Sequence, residues 1–491
     1  MSPSRRILWG SVVFILGVGA AQIFCYWSSI DFLSRNAQHV AWQASIMIGF
    51  VSLVVLVLRR SLIIMLFLLF IFGALRYLGT VTPPFVSHPT WFKSALTARL
   101  ISFPSVTTKN QHLTVEVTAP FLNAAPLKKF KILIIAPLQN SYDTGDTIVF
   151  RCQYWRPVED IRKNYYHRWL WSQDIRGVCY AHSITVTGNT SSWQRIMSWQ
   201  RHFMISRLQR TMHEPQTSLL TGIMVGDDAA LPRFIEEAFQ KTGTSHLLAI
   251  SGYNISVVIM MLNTIFPYFG IHRRKSFSII VVFILWFVML TGASPSVVRA
   301  GIMGLLTLMS YQLGRPRAGL NFLFLAAAGM VFLQPRLLLF NLGFQFSFLS
   351  TFALLWFLPR FPTPSWAHLV PAWLWNNIAT TLSVLFVTWP LTLFSFREFH
   401  PVAVLANLFL LPVVPIIMVF GFLTFMCSIF SFTIARIVAT INWIFLEYMI
   451  EVVLFFRKHD LFAVSLARPF VAYLFVVFIF ILCIFILKRK V

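Results

Sequence analysis

Charge is scarce in this sequence, and acid is scarcest. Only 11% of the 491 residues are charged, against 57% hydrophobic, where soluble domains carry about 25% charged residues. Residues 246–491 hold 16 Lys and Arg but only 4 Asp and Glu, residues 80–245 hold 18 and 11, and residues 1–79 hold 6 and 1. No GxxxxGK[ST] occurs, so a P-loop for ATP hydrolysis is excluded. Neither HxHxDH nor HExxH occurs, and no two of the 12 histidines lie within four residues of each other, which excludes hydrolytic metal centres of those types. The 5 cysteines form no CxxC, so there is no zinc ribbon. Cys25, Cys427 and Cys483 sit in apolar runs and read as packing residues. No metal, no cofactor and no catalytic residue is expected.

What is present is apolar length. Several runs reach the ~20 residues that span a hydrocarbon core, and a bilayer forces spanning backbone into helices or closed barrels. The chain therefore reads as an α-helical polytopic membrane protein. Its net charge of +24 has two readings. Cationic loops fix topology, or Lys and Arg neutralise phosphates. Runs such as "HRRK", "GRPR" and "KRK" fit the first, but topology does not require so few acids, and their scarcity favours an anionic cargo.

Runs at 7–27, 40–58 and 61–79 give three amino-terminal spans over 1–79, the first read as an anchor rather than a cleaved leader. Residues 80–190 look soluble. "QHLTVEVTAP" and "DTIVFRCQYWRP" alternate apolar and polar positions as half-buried strands do, "KILIIAP" reads as a buried strand, and "NYYHRWLWSQDI" as a short helix. Five or so strands with one helix suggest a small β-barrel of the oligonucleotide-binding (OB-like) type. Residues 191–245 carry basic amphipathic helices, with Trp193, Ile196, Trp199, Phe203 and Leu208 at helical spacing and Arg195, Arg201, Arg207 and Arg210 between them, expected to lie along the membrane surface. Residues 246–491 hold about nine further spans, giving about twelve in all. One run, 401–431, contains Pro401, Pro412 and Pro415 and is expected to be broken or re-entrant. With positive loops inside, both termini are cytoplasmic, residues 80–245 are extracytoplasmic, and Arg336 falls outside. Cys152 and Cys179, the only cysteines of the soluble stretch, then meet oxidising conditions. A disulfide and two buried thiols both stay open.

Polar clusters in the spans mark candidate sites, because buried polarity in a bilayer is costly unless it is partnered. "GTSHLLAISGYNIS", 243–256, offers His246, Ser251, Gly252 and Asn254. "TGASPSVVRAGIMG", 291–304, places Arg299 one turn into a helix, where it either snorkels to the interface or meets phosphate with its fork of donors. "FNLGFQFSFLSTF", 340–352, offers Asn341 and Gln345 at i,i+4, and "ANLFLLPVVP", 406–415, offers Asn407. Such amides also simply stitch helices together. Glu447 and Glu451 are the acids deep in a span of the carboxyl-terminal half.

These stretches, "LLTGIMVGDDAALP…FQKTGTSHLLAISGYNISVV", "PSVVRAGIMG", "RPRAGLNFLFLAA", "GFQFSFLSTFALL" and "ANLFLLPVVP", occur in an order that resembles the ComEC competence family, membrane channels that pass single-stranded DNA across the cytoplasmic membrane during natural transformation. The segment around "YHRWLWSQDIRGVCYA" is similar to that family's extracytoplasmic OB-like domain. Two departures stand out. The family commonly has a His in its "SGxH" motif, where Asn254 stands here after Tyr253, which puts proton transfer there in doubt. Many members also carry a carboxyl-terminal metallo-β-lactamase-like domain, which "ILKRKV" does not continue into. The resemblance therefore implies transport without catalysis by this chain.

The expectation is a single-stranded DNA channel lined by His246, Ser251, Gly252, Asn254, Arg299, Gln345 and Asn407. Trp155, Tyr165, Tyr166, Trp169 and Trp171 are available for base stacking. Expected partners are single-stranded DNA, the lipid bilayer, an extracytoplasmic DNA receptor, a cytoplasmic motor or single-strand-binding protein, and a separate nuclease if one is needed. The alternative is an ion-coupled carrier of a small anionic solute using Glu447, Glu451 and Arg299, for which no convincing inverted repeat is visible. A membrane-embedded hydrolase using Ser251 and His246 ranks last, since no third member is in sight.

Overall fold

The computed structural model describes residues 3–28, 62–78, 95–158, 165–458 and 464–465, apart from short stretches at 107–109, 118–129, 139–141, 182, 190–191, 228–230, 249, 251, 294, 313–318, 361–369, 397 and 400–401. The expected spans at 40–58 and 468–487 lie outside the described residues. The described chain forms two compact units, residues 1–200 with 302–345, and residues 201–301 with 346–491.

In the first unit, α1 (Pro3–Ser28) and α2 (Leu62–Leu78) cross at very close range. A Cβ on Gly17 would lie 2.0 Å from the carbonyl oxygen of Phe70, and one on Gly73 would lie 2.3 Å from that of Phe14. Only the absence of side chains lets these backbones meet, as in other small-residue helix crossings in membranes. Phe14 and Phe72 then meet as a tilted pair beside the crossing, with ring centroids 5.2 Å apart, and Phe332 joins them 5.8 Å from Phe72.

The alternating segments become strands. These are β1 (Leu96–Leu100), β2 (Ser105–Val106), β3 (Asn110–Val117), β4 (Phe130–Pro137), β5 (Asp146–Phe150), β6 (Tyr154–Pro157), β7 (Ile175–Tyr180) and β8 (Ile184–Asn189), with helix α3 (Tyr165–Ser172) between β6 and β7. β3 shows why alternation selects a strand: Gln111, Leu113, Val115 and Val117 are buried, and the residues between them are not. β4 is buried on both faces. Ile132 and Ile134 face the main core with Leu113, Val115 and Ile148, while Leu133 packs with Leu170 of α3, Ile175 and Val178. The sheet runs β6-β7-β4-β3-β1-β5-β8, with β2 on β3. Its pairs are antiparallel except β4 with β7, which run parallel. Among the described residues the strands do not form the closed barrel expected from their count. The sheet is mixed and its path ends at β6 and β8. Periodicity sets how many strands form and which face each buries, but not whether the two end strands meet.

Helix α4 (Ser192–Gln209) begins in the first unit and from Arg201 belongs to the second, where it leads into α5 (Gln216–Val225), every residue of which is buried. Leu219, Leu220, Ile223 and Met224 form a core with Ile417, Met418, Leu446 and Met449. Gly226 ends α5 with φ 71°, a left-handed cap that needs no Cβ. Arg201 of α4 is buried and donates to the carbonyls of Val225 and Gly226, at 2.7 and 3.3 Å, so it completes that cap. Arg207 likewise donates to the Ser428 carbonyl at 2.8 Å. Ile196 and Trp199 on α4 remain exposed.

The remaining helices are α6 (Arg233–Lys241), α7 (Gly252–Tyr268), α8 (Arg273–Leu290), α9 (Pro295–Gln312), α10 (Gly319–Leu333), α11 (Leu337–Phe340), α12 (Leu342–Phe352), α13 (Ala372–Phe396), α14 (Ala403–Leu410), α15 (Val414–Phe430) and α16 (Phe432–Lys458). Among the described residues, 3 helices are long and apolar enough to cross a membrane: Leu342–Arg360, Leu374–Phe396 and Phe432–Lys458. Helices α14 and α15 pass the same test together but bend by 41°. The break falls beside Pro412 and Pro415 in the run 401–431, where proline withholds an N–H from the helix ladder.

Candidate functional site

The polar stretch that opens the helical region divides into cap chemistry and helix contacts. Thr242 and Thr244 are buried and share a hydroxyl–hydroxyl hydrogen bond at 2.8 Å. Gly243 between them takes φ 67°, and the Thr244 amide returns to the Phe239 carbonyl at 2.9 Å. These residues terminate α6. His246 follows in a 3-10 turn, Ser245–Leu247, and is exposed. Ser251 lies outside the described residues.

Gly252 begins α7 where α9 comes close, and a Cβ there would meet the Ala300 Cβ at 3.4 Å. Asn254 is buried and donates to the Ile223 carbonyl at 2.8 Å, tying α7 to the buried α5. Arg299, next to Ala300, is among the largest fully buried side chains, and its guanidinium carbon lies 6.0 Å from the Phe348 ring centroid. The structure thus brings Gly252, Asn254 and Arg299 together around the start of α7 and α9. Arg299 does not snorkel to solvent. Its cation faces an aromatic ring inside the protein, an arrangement that lowers the cost of burying it.

Gln345 belongs to the first unit, where its amide donates to the Leu338 carbonyl at 2.8 Å and closes the break between α11 and α12. Asn341 caps α12, accepting from the Phe344 amide at 2.8 Å. Asn407 of α14 is buried, and its Oδ1 has no protein partner among the described residues. Glu447 accepts from Gln216 of α5 at 2.5 Å, whereas Glu451 is exposed. Among the described residues no group of three or more His, Cys, Asp or Glu could hold a metal ion.

Two features of the sheet domain bear on function. Cys152 and Cys179 form a disulfide, with Cα atoms 5.6 Å apart. The aromatic residues divide by exposure. Trp155 and Trp171 are buried, while Tyr154, Tyr166 and Trp169 are exposed. Tyr166 stacks on Trp169 with centroids 6.0 Å apart, and Tyr154 lies 5.9 Å from Tyr180. Burial pushes the Tyr166 phenol up, with Tyr180 adding to the shift and Arg156 opposing it. Sequence reasoning named Tyr166 and Trp169 but missed Tyr154, Tyr180 and Arg156, because only the β6–β7 pairing sets them beside α3.

A second missed cluster anchors the loop after α10. Arg336 is buried against Trp171, 4.4 Å from its ring centroid, and donates to Asp174 Oδ1 at 2.6 Å. Arg176 approaches the same carboxylate at 3.4 Å. The Gln334 amide donates to the Ser172 carbonyl, and Phe340 packs on Trp171.

The model of one family, described as Competence protein, matches residues 223–491. ComE operon protein 3 of Bacillus subtilis (strain 168) is similar to this chain, 27% identical over 260 residues, which cover 50% of this chain and 31% of that protein. The match therefore spans about a third of that relative's length. No solved structure matches. The family match includes Asn254, Arg299, Gln345 and Asn407 and covers more than half of the sequence, so this chain belongs to the Competence protein family.

Proposed function

We propose that this chain passes single-stranded DNA across the cytoplasmic membrane as a channel. The observation that carries the reading is the family match over 223–491, a region in which the Arg299 side chain is fully buried. A translocating polyanion needs contacts that attract it yet release it. A single guanidinium with neutral donors meets that need better than a ring of arginines.

The proposed topology has about twelve spans, cytoplasmic termini and an extracytoplasmic sheet domain. The Arg336–Asp174 contact supports it, because charge bias puts both residues on the outer side. The Cys152–Cys179 bond fits an oxidising exterior. The exposed rings Tyr154, Tyr166 and Trp169, with Arg156, offer incoming bases a stacking surface worth ~1–3 kcal/mol per base. A receptor outside, and a motor or single-strand-binding protein inside, complete the proposed path. The carrier reading is less favoured, since the side chain of Glu447 is engaged by Gln216 and Glu451 is exposed.

The test is deletion of the gene followed by a transformation assay that scores surface-bound and internalised DNA separately. The reading predicts normal binding with loss of internalisation. Normal internalisation contradicts it.

A further inference from the structure

Helix α13 carries a stripe of polar residues along its length. Asn377, Thr381, Thr388, Thr392 and Ser395 recur at intervals of 4, 7, 4 and 3 residues. At 100° per residue they fall within about 60° of one another, and at 1.5 Å per residue the stripe is ~27 Å long. That length is close to the ~30 Å of a hydrocarbon core. The helix is one of the three that are long and apolar enough to span.

The stripe faces inward, since Thr381, Thr388 and Ser395 are all buried. A serine or threonine in a helix has a ready acceptor in the carbonyl four residues back. Thr388 uses it, bonding the Val384 carbonyl at 2.8 Å, and Thr392 uses that of Thr388 at 3.1 Å. Thr381 and Ser395 do not, and neither hydroxyl has a protein partner among the described residues. In a dry interior each would forfeit a hydrogen bond that lies within reach. Neighbouring α14 adds the Oδ1 of Asn407, equally without a partner. The opposite side of α13 packs, with Phe386 stacked on Phe357 at 5.0 Å, and there the buried Ser383 hydroxyl is also without a partner among the described residues, so what sets the stripe apart is its recurrence over the helix length.

We infer that this face of α13 lines the polar passage, shut in this structure, and that the Thr381 and Ser395 hydroxyls donate to water and to the phosphates of a passing strand. The ligand class is an anionic polymer whose oxygens accept from neutral donors. Hydroxyls bind such oxygens without the strength of a full ion pair, which suits a cargo that must move on. The inference rests on the passage reading of the helical region.

The test uses the full chain in its native membrane. Cys25, Cys427 and Cys483 are changed to Ser, the Cys152–Cys179 pair is kept, and single variants Thr381→Cys, Thr388→Cys and Ser395→Cys are compared with Phe394→Cys, an exposed site on the same helix. A membrane-impermeant cationic methanethiosulfonate is applied with and without single-stranded DNA. Thiols at 381, 388 and 395 are expected to react at least tenfold faster than at 394 in at least one condition. Reaction no faster than at 394 in both conditions overturns the inference but leaves uptake itself untouched. Fast reaction supports a wet face, and the effect of modification on uptake then judges the DNA reading separately. Thiol replaces hydroxyl with little change in shape, and membrane levels verify that each variant folds.

Discussion

Arg336 donates to Asp174 across 162 positions of sequence, at 2.6 Å. Asp174 holds its carboxylate there from a left-handed backbone, φ 62°, while Trp171 stacks beneath the guanidinium. This contact docks the loop that follows α10 onto the sheet domain. Asp174 is half exposed, so solvent screens the pair, and its loss is expected to cost about 1–2 kcal/mol. Arg336→Ala is expected to speed proteolysis around residues 165–189 in intact membranes. Arg336→Lys keeps the charge but not the planar fork and is expected to fall between. Equal cleavage of all three proteins refutes the docking role.

The crossing of α1 and α2 gives a cleaner steric prediction. A Cβ at Gly17 would lie 2.0 Å from a backbone oxygen, which cannot swing away. Gly17→Ala is therefore expected to separate the helices and to lower the amount of folded protein in the membrane. Gly329→Ala meets nothing within 4 Å and gains up to ~1 kcal/mol of helix propensity. Equal membrane levels and equal thermal stability for the two variants contradict the close crossing.

The disulfide closes a loop with a sequence separation of 27, for which chain-entropy arguments give about 3.5 kcal/mol. Alkylation before and after reduction is expected to label Cys152 and Cys179 only after reduction. Cys152→Ser is expected to destabilise the sheet domain by about that amount. Identical labelling in both conditions denies the bond.

Much of this organisation was legible in the sequence, and the limits have physical reasons. Alternation in "QHLTVEVTAP" identified β3 because a half-buried strand must alternate. The prolines of 401–431 located the bend between α14 and α15 because proline cannot donate to the helix ladder. Barrel closure was not legible, since no local pattern records whether β6 and β8 meet. The polar stretch 243–256 suggested a candidate site, yet its first residues, Gly243 and Thr244, terminate α6 together with Thr242. Side-chain polarity shows that a partner is needed but not which one. Asn254 illustrates the same ambiguity, because its donor serves the Ile223 carbonyl. The α13 stripe was present in the spacing of residues 377, 381, 388, 392 and 395. Hydroxyls barely lower hydropathy, so the stripe leaves the apolar signal of the span intact, and only the burial of Thr381, Thr388 and Ser395 shows that it faces inward.

Arg299 offers the most direct measurement of the central claim, that buried polar groups of the helical region serve a passing polyanion. Internalised single-stranded DNA should be measured for Arg299→Glu and Arg299→Lys at matched membrane levels. The account predicts loss of internalisation in Arg299→Glu with surface-bound DNA unchanged, and partial activity in Arg299→Lys, which keeps the charge but loses the fork. Wild-type internalisation by Arg299→Glu would contradict it.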